Sequence, residues 1–338
     1  MKEGDHRLIV DAKGTERRVQ PMEQTIFNTK KAIVVDEEAI LKHIQEAQRI
    51  KREMDVGQKE ATVEVKTTYP DLPLYIWMNT DDHMGSTQVD YVSLLRDYNI
   101  CKDTPNFTAV SNGDEIDNFM ASMGKFSDGV YEDAITPEQQ AKLMKRLFGK
   151  LDDEGKMLAF SFGNHNNWVH GMGYKFENTW LDGMSCPVFN CGGMLTIKYG
   201  TQEYKLAMTH RFWGTSKLNP TNACKRFMDY AFPEADVLFL GHVHVAESLV
   251  FKRVGGGYKY AVIGGTYKTD DDWSAQMGIG RGQMGGFCLK LSPDKRQIEI
   301  LTSMEQAKES FEILRDIKNF RSKDDDFRDK SGRPIPYK

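Results

Sequence analysis

The chain has 338 residues, with 45 Lys and Arg against 49 Asp and Glu and a formal charge of −4. That balance excludes a basic nucleic-acid coat and a charge-rich disordered polymer. Its 40% hydrophobic content supports a sizeable core without disulfide staples. No apolar run approaches the roughly 18 residues that span a bilayer, so no membrane partner is expected. The start, Met1 to His6, lacks the apolar segment of a signal peptide. Five cysteines (Cys101, Cys186, Cys191, Cys224, Cys288), an odd number, suit reduced thiols in the cytoplasm. Cys186 and Cys191 have no second Cys/His pair at matching spacing, which argues against a zinc clip.

Residues 1–70 read as an N-terminal extension carrying one amphipathic helix. Asp36 can cap it, and Ile40, Leu41, Ile44, Ala47 and Met54 form its apolar stripe. Tyr69-Pro70-Asp71-Leu72-Pro73 then breaks the chain. From Leu74 to about Phe162, buried strands alternate with helices: Leu74–Thr80, a helix near Val89–Tyr98, Phe107–Ser111, a helix after Thr136, and Met157–Phe162. Thr136-Pro137-Glu138-Gln139 has the form of a capping box with proline at the first helical position. Seven strand-like runs fill residues 194–301, with few helices between them. A closing helix near Gln306–Phe320 leads into a polar tail. The expected architecture is α/β, two packed mixed sheets with helices outside. The body spans 71–303, and 304–338 form the C-terminal helix and tail. Either terminal helix could pair two copies of the chain.

Five of the eight histidines fall at or beside the C-terminal ends of expected strands. LYIWMNT ends in Asp81-Asp82-His83-Met84-Gly85, and FTAVS runs into Asn112-Gly113-Asp114-Glu115-Ile116-Asp117. MLAFSF ends in Gly163-Asn164-His165, YKLAMT in His210, and VLFL in Gly241-His242-Val243-His244. Sites in such sheets gather outside the carboxyl ends of strands. Strand alternation would aim Asp81 with His83, and His242 with His244, into one cavity. Glycines 113, 163 and 241 would let the backbone turn tightly beside them. The mixed imidazole, carboxylate and amide set suits Mn²⁺, Fe or Zn²⁺ rather than Ca²⁺.

The order D-x-H, G-D-x-x-D, G-N-H, H, G-H-x-H over Leu74–Leu301 resembles the calcineurin-like metallophosphoesterase superfamily. The resemblance implies a four-layer α/β/β/α sandwich with a dinuclear centre. Asp81, His83, Asp114 and His244 would hold one ion. Asn164, His210 and His242 would hold the second, with Asp114 bridging. Two divalent ions, Mn²⁺ first and Fe, Zn²⁺ or Ni²⁺ as alternatives, would generate hydroxide near neutral pH for attack on a phosphodiester. By the same resemblance His165 acts on the leaving oxygen, while Asp117 orients a ligand or loop. Two positions depart from the common pattern: Asn166 stands where an acidic residue often follows G-N-H, and Arg211 follows His210. Asp117 is followed by Asn118-Phe119, unlike protein phosphatases.

The wording of the first two motifs is nearest the DNA-repair exonuclease and phosphodiesterase branch. Local charge points the same way. Tyr204–Met228 holds Lys205, Arg211, Lys217, Lys225 and Arg226 without an acid, and Ser248–Thr269 holds Lys252, Arg253, Lys259 and Lys268. Such segregation favours a nucleic-acid or nucleotide substrate. Arg211, Asn166, Lys252, Arg253, Lys268 and Arg281 are the candidate substrate contacts, the last from a glycine-rich loop at Gly255–Gly286. Trp168, Trp213 and Trp273 are among the aromatics that could stack on bases. The expected activity is that of a phosphodiesterase or nuclease. A cyclic-nucleotide phosphodiesterase, a phosphomonoesterase and a non-catalytic binding scaffold are the alternatives.

Overall fold

The computed structural model describes residues 8–10, 16–18, 37–54, 59–119, 133–169, 180–190, 192–212, 220–252, 256–268 and 282–326. Cys191, Trp213, Lys217, Arg253, Trp273, Arg281 and the end of the tail lie outside them. The chain divides into two units, Met1–Asp55 and Val56–Lys338. In the first, β1 (Leu8–Val10) pairs antiparallel with β2 (Glu16–Arg18), and α1 spans Glu37–Met54. On α1, Ile40, Leu41 and Ile44 are exposed.

The second unit holds two six-stranded sheets. One runs in the order β14 (Ile298–Leu301), β13 (Cys288–Leu291), β4 (Leu74–Asn79), β5 (Phe107–Asn112), β6 (Met157–Ser161), β7 (Val188–Phe189). Its β4 to β7 are parallel, while β13 and β14 are antiparallel additions. The other runs β11 (Glu247–Lys252), β12 (Tyr258–Ile263), β10 (Val237–Leu240), β9 (Gln202–Thr209), β8 (Gly193–Tyr199), β3 (Glu60–Glu64). There β9, β10 and β12 are mutually parallel.

Period-two side chains divide the molecule into layers. Leu74, Ile76 and Met78 of β4 face Leu206, Met208, Val237 and Phe239 in the core between the sheets. Tyr75 and Trp77 point the other way. They pack under α2 (Tyr91–Asp103), α3 (Pro137–Asp153) and Met304, Ala307 and Phe311 of α6 (Met304–Asp326). On the far face, Ala207, Leu238 and Ala261 pack under Cys224 and Met228 of α5 (Pro220–Ala231). The result is the expected order of helices, sheet, sheet, helices. Thr136 and Gln139 form the capping box, and Asp90 caps α2 through Ser93 N–H at 3.0 Å.

Some elements differ from the sequence expectation. The strand β3 lies inside the stretch read as an extension, where it pairs parallel with β8. Only Ala61 of it is buried, so it has no apolar run to reveal it. The helix α5 was hidden by its polar, basic composition, PTNACKRFMDYA. Among the described residues no helix is long and apolar enough to cross a membrane. The four described cysteines are buried, and no disulfide joins them to one another.

Candidate metal centre

The motif residues lie just beyond the C-terminal ends of β4, β5, β6, β9 and β10, drawn from both sheets. The loops continue pairing where the strands stop: Asp81 N–H donates to Gly113 O at 2.9 Å and His83 N–H to Asp114 O at 3.0 Å. Asn112 joins the sheets, its Nδ2 donating to the carbonyls of Thr209 (3.0 Å) and Phe239 (3.1 Å). Asp81 does likewise, accepting from His242 N–H at 2.9 Å.

These side chains converge, but not by strand alternation. Asp81, His83, Asp114, His242 and His244 all have left-handed backbones, with φ between 50° and 74°. Few non-glycine residues occupy that region, and functional sites are where such strain persists. Of the glycines, Gly113 turns the backbone as expected, and Gly163 and Gly241 act otherwise. Gly113 has φ +93°, whereas Gly163 is needed for space, since a Cβ there would lie 2.0 Å from Asp114 Oδ1.

Two triads result: Asp81, His83 and His244, and Asp114, His210 and His242. In the first, Asp81 Oδ1 is 3.2 Å from His244 Nε2, and the Nε2 atoms of His83 and His244 are 3.1 Å apart. In the second, His210 Nε2 stands 2.8 Å from Asp114 Oδ2 without the alignment of a hydrogen bond. His210 Nε2 is also 3.9 Å from Asp81 Oδ1, so the triads adjoin. Asn164 has a buried Oδ1 with no hydrogen-bond partner among the described residues.

This donor set fits divalent cations. Two ligand atoms each roughly 2.0–2.2 Å from one ion stand roughly 3.0–3.5 Å apart. The imidazoles are also oriented as ligands: His83 Nδ1 faces Asp117 Oδ1 at 2.8 Å and His210 Nδ1 faces Asn112 O at 2.7 Å, which leaves each Nε2 lone pair inward. Charge gives the same answer. Burial disfavours an imidazolium at His210, but Asp114 and Asp81 outweigh it and raise its pKa to about 10. Burial opposes ionisation of Asp81, yet His210 and His244 pull it down to about 2. The carboxylates thus demand positive charge at this point, which divalent ions would supply.

His165 sits on α4 (Asn164–Asn167), a single turn after β6. Its Nδ1 faces Asp117 O, and its Nε2 lies 3.8 Å from Asp114 Oδ2. The ring packs against a pair of touching aromatics, 3.8 Å from Trp168 and 5.4 Å from Phe119 by centroids. It belongs to neither triad, although a third grouping combines it with His83 and Asp117.

The candidate substrate contacts fare unevenly. Arg211 is exposed beside His210. Asn166 is fully buried, its Oδ1 accepting from Gly163 N–H and Asp114 N–H, both at 2.9 Å, so it cannot contact substrate. Lys252 pairs in register with Tyr258 at the start of β12, whereas the centre lies beyond the ends of the neighbouring β9 and β10. Strand rise puts it roughly 17 Å from the near end of β11. Lys205 and Lys259 lie at that same remote end, bonded to Glu234 and to Ala235 O. Lys268 is only 4% exposed and pairs with Asp117. The basic segments flank the centre in the sequence; in space most of their described charge does not.

The two six-stranded sheets flanked by helices, with the motif residues beyond the carboxyl ends of their strands, are the arrangement that the motif resemblance implied. No family model and no curated protein matches the chain. Solved structures similar to it include a predicted phosphoesterase from Streptococcus pneumoniae TIGR4, 15% identical, covering 68% of this chain and 90% of that one, with a TM-score of 0.33. Another is a double mutant of Vps29 from Entamoeba histolytica, 13% identical, covering 68% and 99%, TM-score 0.34. The nuclease MPE of Pseudomonas putida is 12% identical, covering 67% and 87%, TM-score 0.29. The functional reading below rests on this chain's own residues.

Proposed function

We propose that the chain is a two-metal phosphodiesterase acting on a nucleotide diester. The observation that carries this reading is the pair of adjoining His/carboxylate triads, Asp81–His83–His244 and Asp114–His210–His242. Asn164 would join the second triad, and Asp114 would be shared between the two sets, as the resemblance implies. Mn²⁺ is the ion we expect to serve best, because the set mixes imidazole with carboxylate and amide oxygen and has no thiolate. Two divalent ions there would lower the pKa of water and stabilise charge on a phosphoryl group.

The chain's own groups do the rest. Asp117 fixes the tautomer of His83, and Asn112 that of His210. His165, packed against Trp168 and Phe119, presents Nε2 at the edge of the cluster. With Nδ1–H given to Asp117 O, that atom carries a proton only as an imidazolium, which burial opposes by lowering the pKa to about 4 and a nearby phosphate would favour. In that form it can donate to the leaving oxygen. Arg211 is exposed where a phosphate or base would enter.

A nucleotide-sized substrate is favoured over a long polyanion because Lys205, Lys252 and Lys259 sit at the remote end of their sheet. The test is a substrate panel with Mn²⁺: a phosphomonoester, a simple diester, cyclic nucleotides, and single- and double-stranded DNA and RNA. We expect diesters to be cleaved at least tenfold better than the monoester. The reverse preference would make the protein a phosphatase. Cleavage of polynucleotides far above small diesters would restore the nuclease reading.

A further inference from the structure

We infer that Lys268 is a positioning residue of the metal centre: its ammonium fixes the Asp117 carboxylate, which turns His83 Nε2 toward the ion shared with Asp81 and His244. This rests on the two-metal reading and adds to it a residue outside the five motifs.

The contacts run in one line. Lys268 Nζ lies 3.2 Å from Asp117 Oδ1 and 3.1 Å from Oδ2. Asp117 Oδ1 lies 2.8 Å from His83 Nδ1, and His83 Nε2 lies 3.1 Å from His244 Nε2. Lys268, Asp117 and His83 are all buried, at 4%, 0% and 3% exposure, so solvent does not screen the pairing. Two of the three N–H groups of this ammonium are in reach of the two oxygens of a buried carboxylate, so its charge is committed first to Asp117. Phe119 adds a second face, its ring centroid 5.4 Å from Nζ.

The backbone of Lys268 is tied to the same loop that carries Asp81. Lys268 N–H donates to Thr266 Oγ1 at 2.9 Å, and Thr266 Oγ1 donates to Asp81 O at 2.7 Å. Tyr267 N–H also reaches Asp81 O, and Lys268 bridges to Val89. The ammonium is therefore delivered from a segment in register with one ligand to the group that orients another. Such outer partners of a ligating histidine typically change metal affinity by about 10–100-fold when removed.

The test is Mn²⁺ titration of the full chain by calorimetry after chelation, with folding checked by circular dichroism. Wild type is expected to take two ions. Lys268→Met should weaken one of them by about 10–100-fold and leave the other within about threefold. Lys268→Arg, which keeps the charge, should recover most of that loss. Folded Lys268→Met that binds both ions as wild type does, or weakens both equally, overturns the assignment. Lys268→Gln, measured in the same way, replaces the methionine variant if that one does not fold. Failure of both to fold assigns the lysine to stability and likewise overturns it. A wild type that takes fewer than two ions fails the underlying metal reading instead, so the two failures are distinct.

Discussion

Asn166 Oδ1 accepts a hydrogen bond from Asp114 N–H at 2.9 Å, so the residue after Gly-Asn-His sets the backbone of Asp114. Its amide nitrogen donates to Glu115 Oε2 at 2.9 Å, and Glu115 in turn takes a hydrogen bond from Ser111 Oγ. A carboxylate at position 166 could accept from the same backbone groups but would face Glu115 without a donor. Burial already raises the Glu115 pKa to about 7. Asparagine here is matched to Glu115.

Asn166→Asp should therefore destabilise the fold by about 1–3 kcal/mol, the range for leaving a buried polar group unsatisfied. Adding Glu115→Gln returns a donor to the pair. In a double-mutant cycle read by thermal or urea unfolding, the coupling should be about 0.5–3 kcal/mol in favour of the double variant. Additive effects would separate the two residues.

His165 and His244 should fail in different ways. His165→Ala is expected to keep both ions while kcat falls by about 10²–10⁴-fold. His244→Ala should weaken one ion, with activity partly recovered at high Mn²⁺. Metal analysis beside steady-state kinetics distinguishes them, and ion loss in His165→Ala would move that residue into the ligand set.

Charge reversal at two positions tests where substrate lies. Arg211→Glu should lower kcat/KM for a small diester by about tenfold or more, roughly the lower end of a single charge-assisted contact. Lys252→Glu should leave both a small diester and an oligonucleotide within about twofold, since its place on β11 is remote from the centre. A selective loss on the oligonucleotide would show that long substrates track the far face.

Space beside the carboxylates gives a steric test. A Cβ at Gly241 would lie 2.4 Å from Thr80 Oγ1 and 2.8 Å from Asp81 Oδ2, whereas one at Gly257 meets nothing within 4 Å. Gly241→Ala should weaken Mn²⁺ binding, and Gly257→Ala should change unfolding free energy by less than about 0.5 kcal/mol. Equal effects would contradict the packing described around Asp81.

Much of this was readable in the linear chain because fully buried strands are short apolar runs. Leu74–Asn79 and Val237–Leu240 announce themselves in that way, and the donors follow at once. The strand Glu60–Glu64 buries one side chain and sends no such signal. Left-handed backbones at Asp81 and His83 were not legible, since both residue types are enriched there yet occur far more often in other conformations. The lysines misled for a geometric reason. Lys252 is close in sequence to His244, but an antiparallel strand carries it to the other end of the sheet. Lys268 was legible as a cation near the centre. Its partner, Asp117, is 151 residues away and only folding brings them together.

The central claim is that this one cluster holds two ions, and elemental analysis tests it most directly. Chain stripped by chelation, reconstituted with Mn²⁺, freed of excess metal and shown to cleave a phosphodiester should contain two Mn²⁺ per chain. An equally active sample with one ion or none would contradict it.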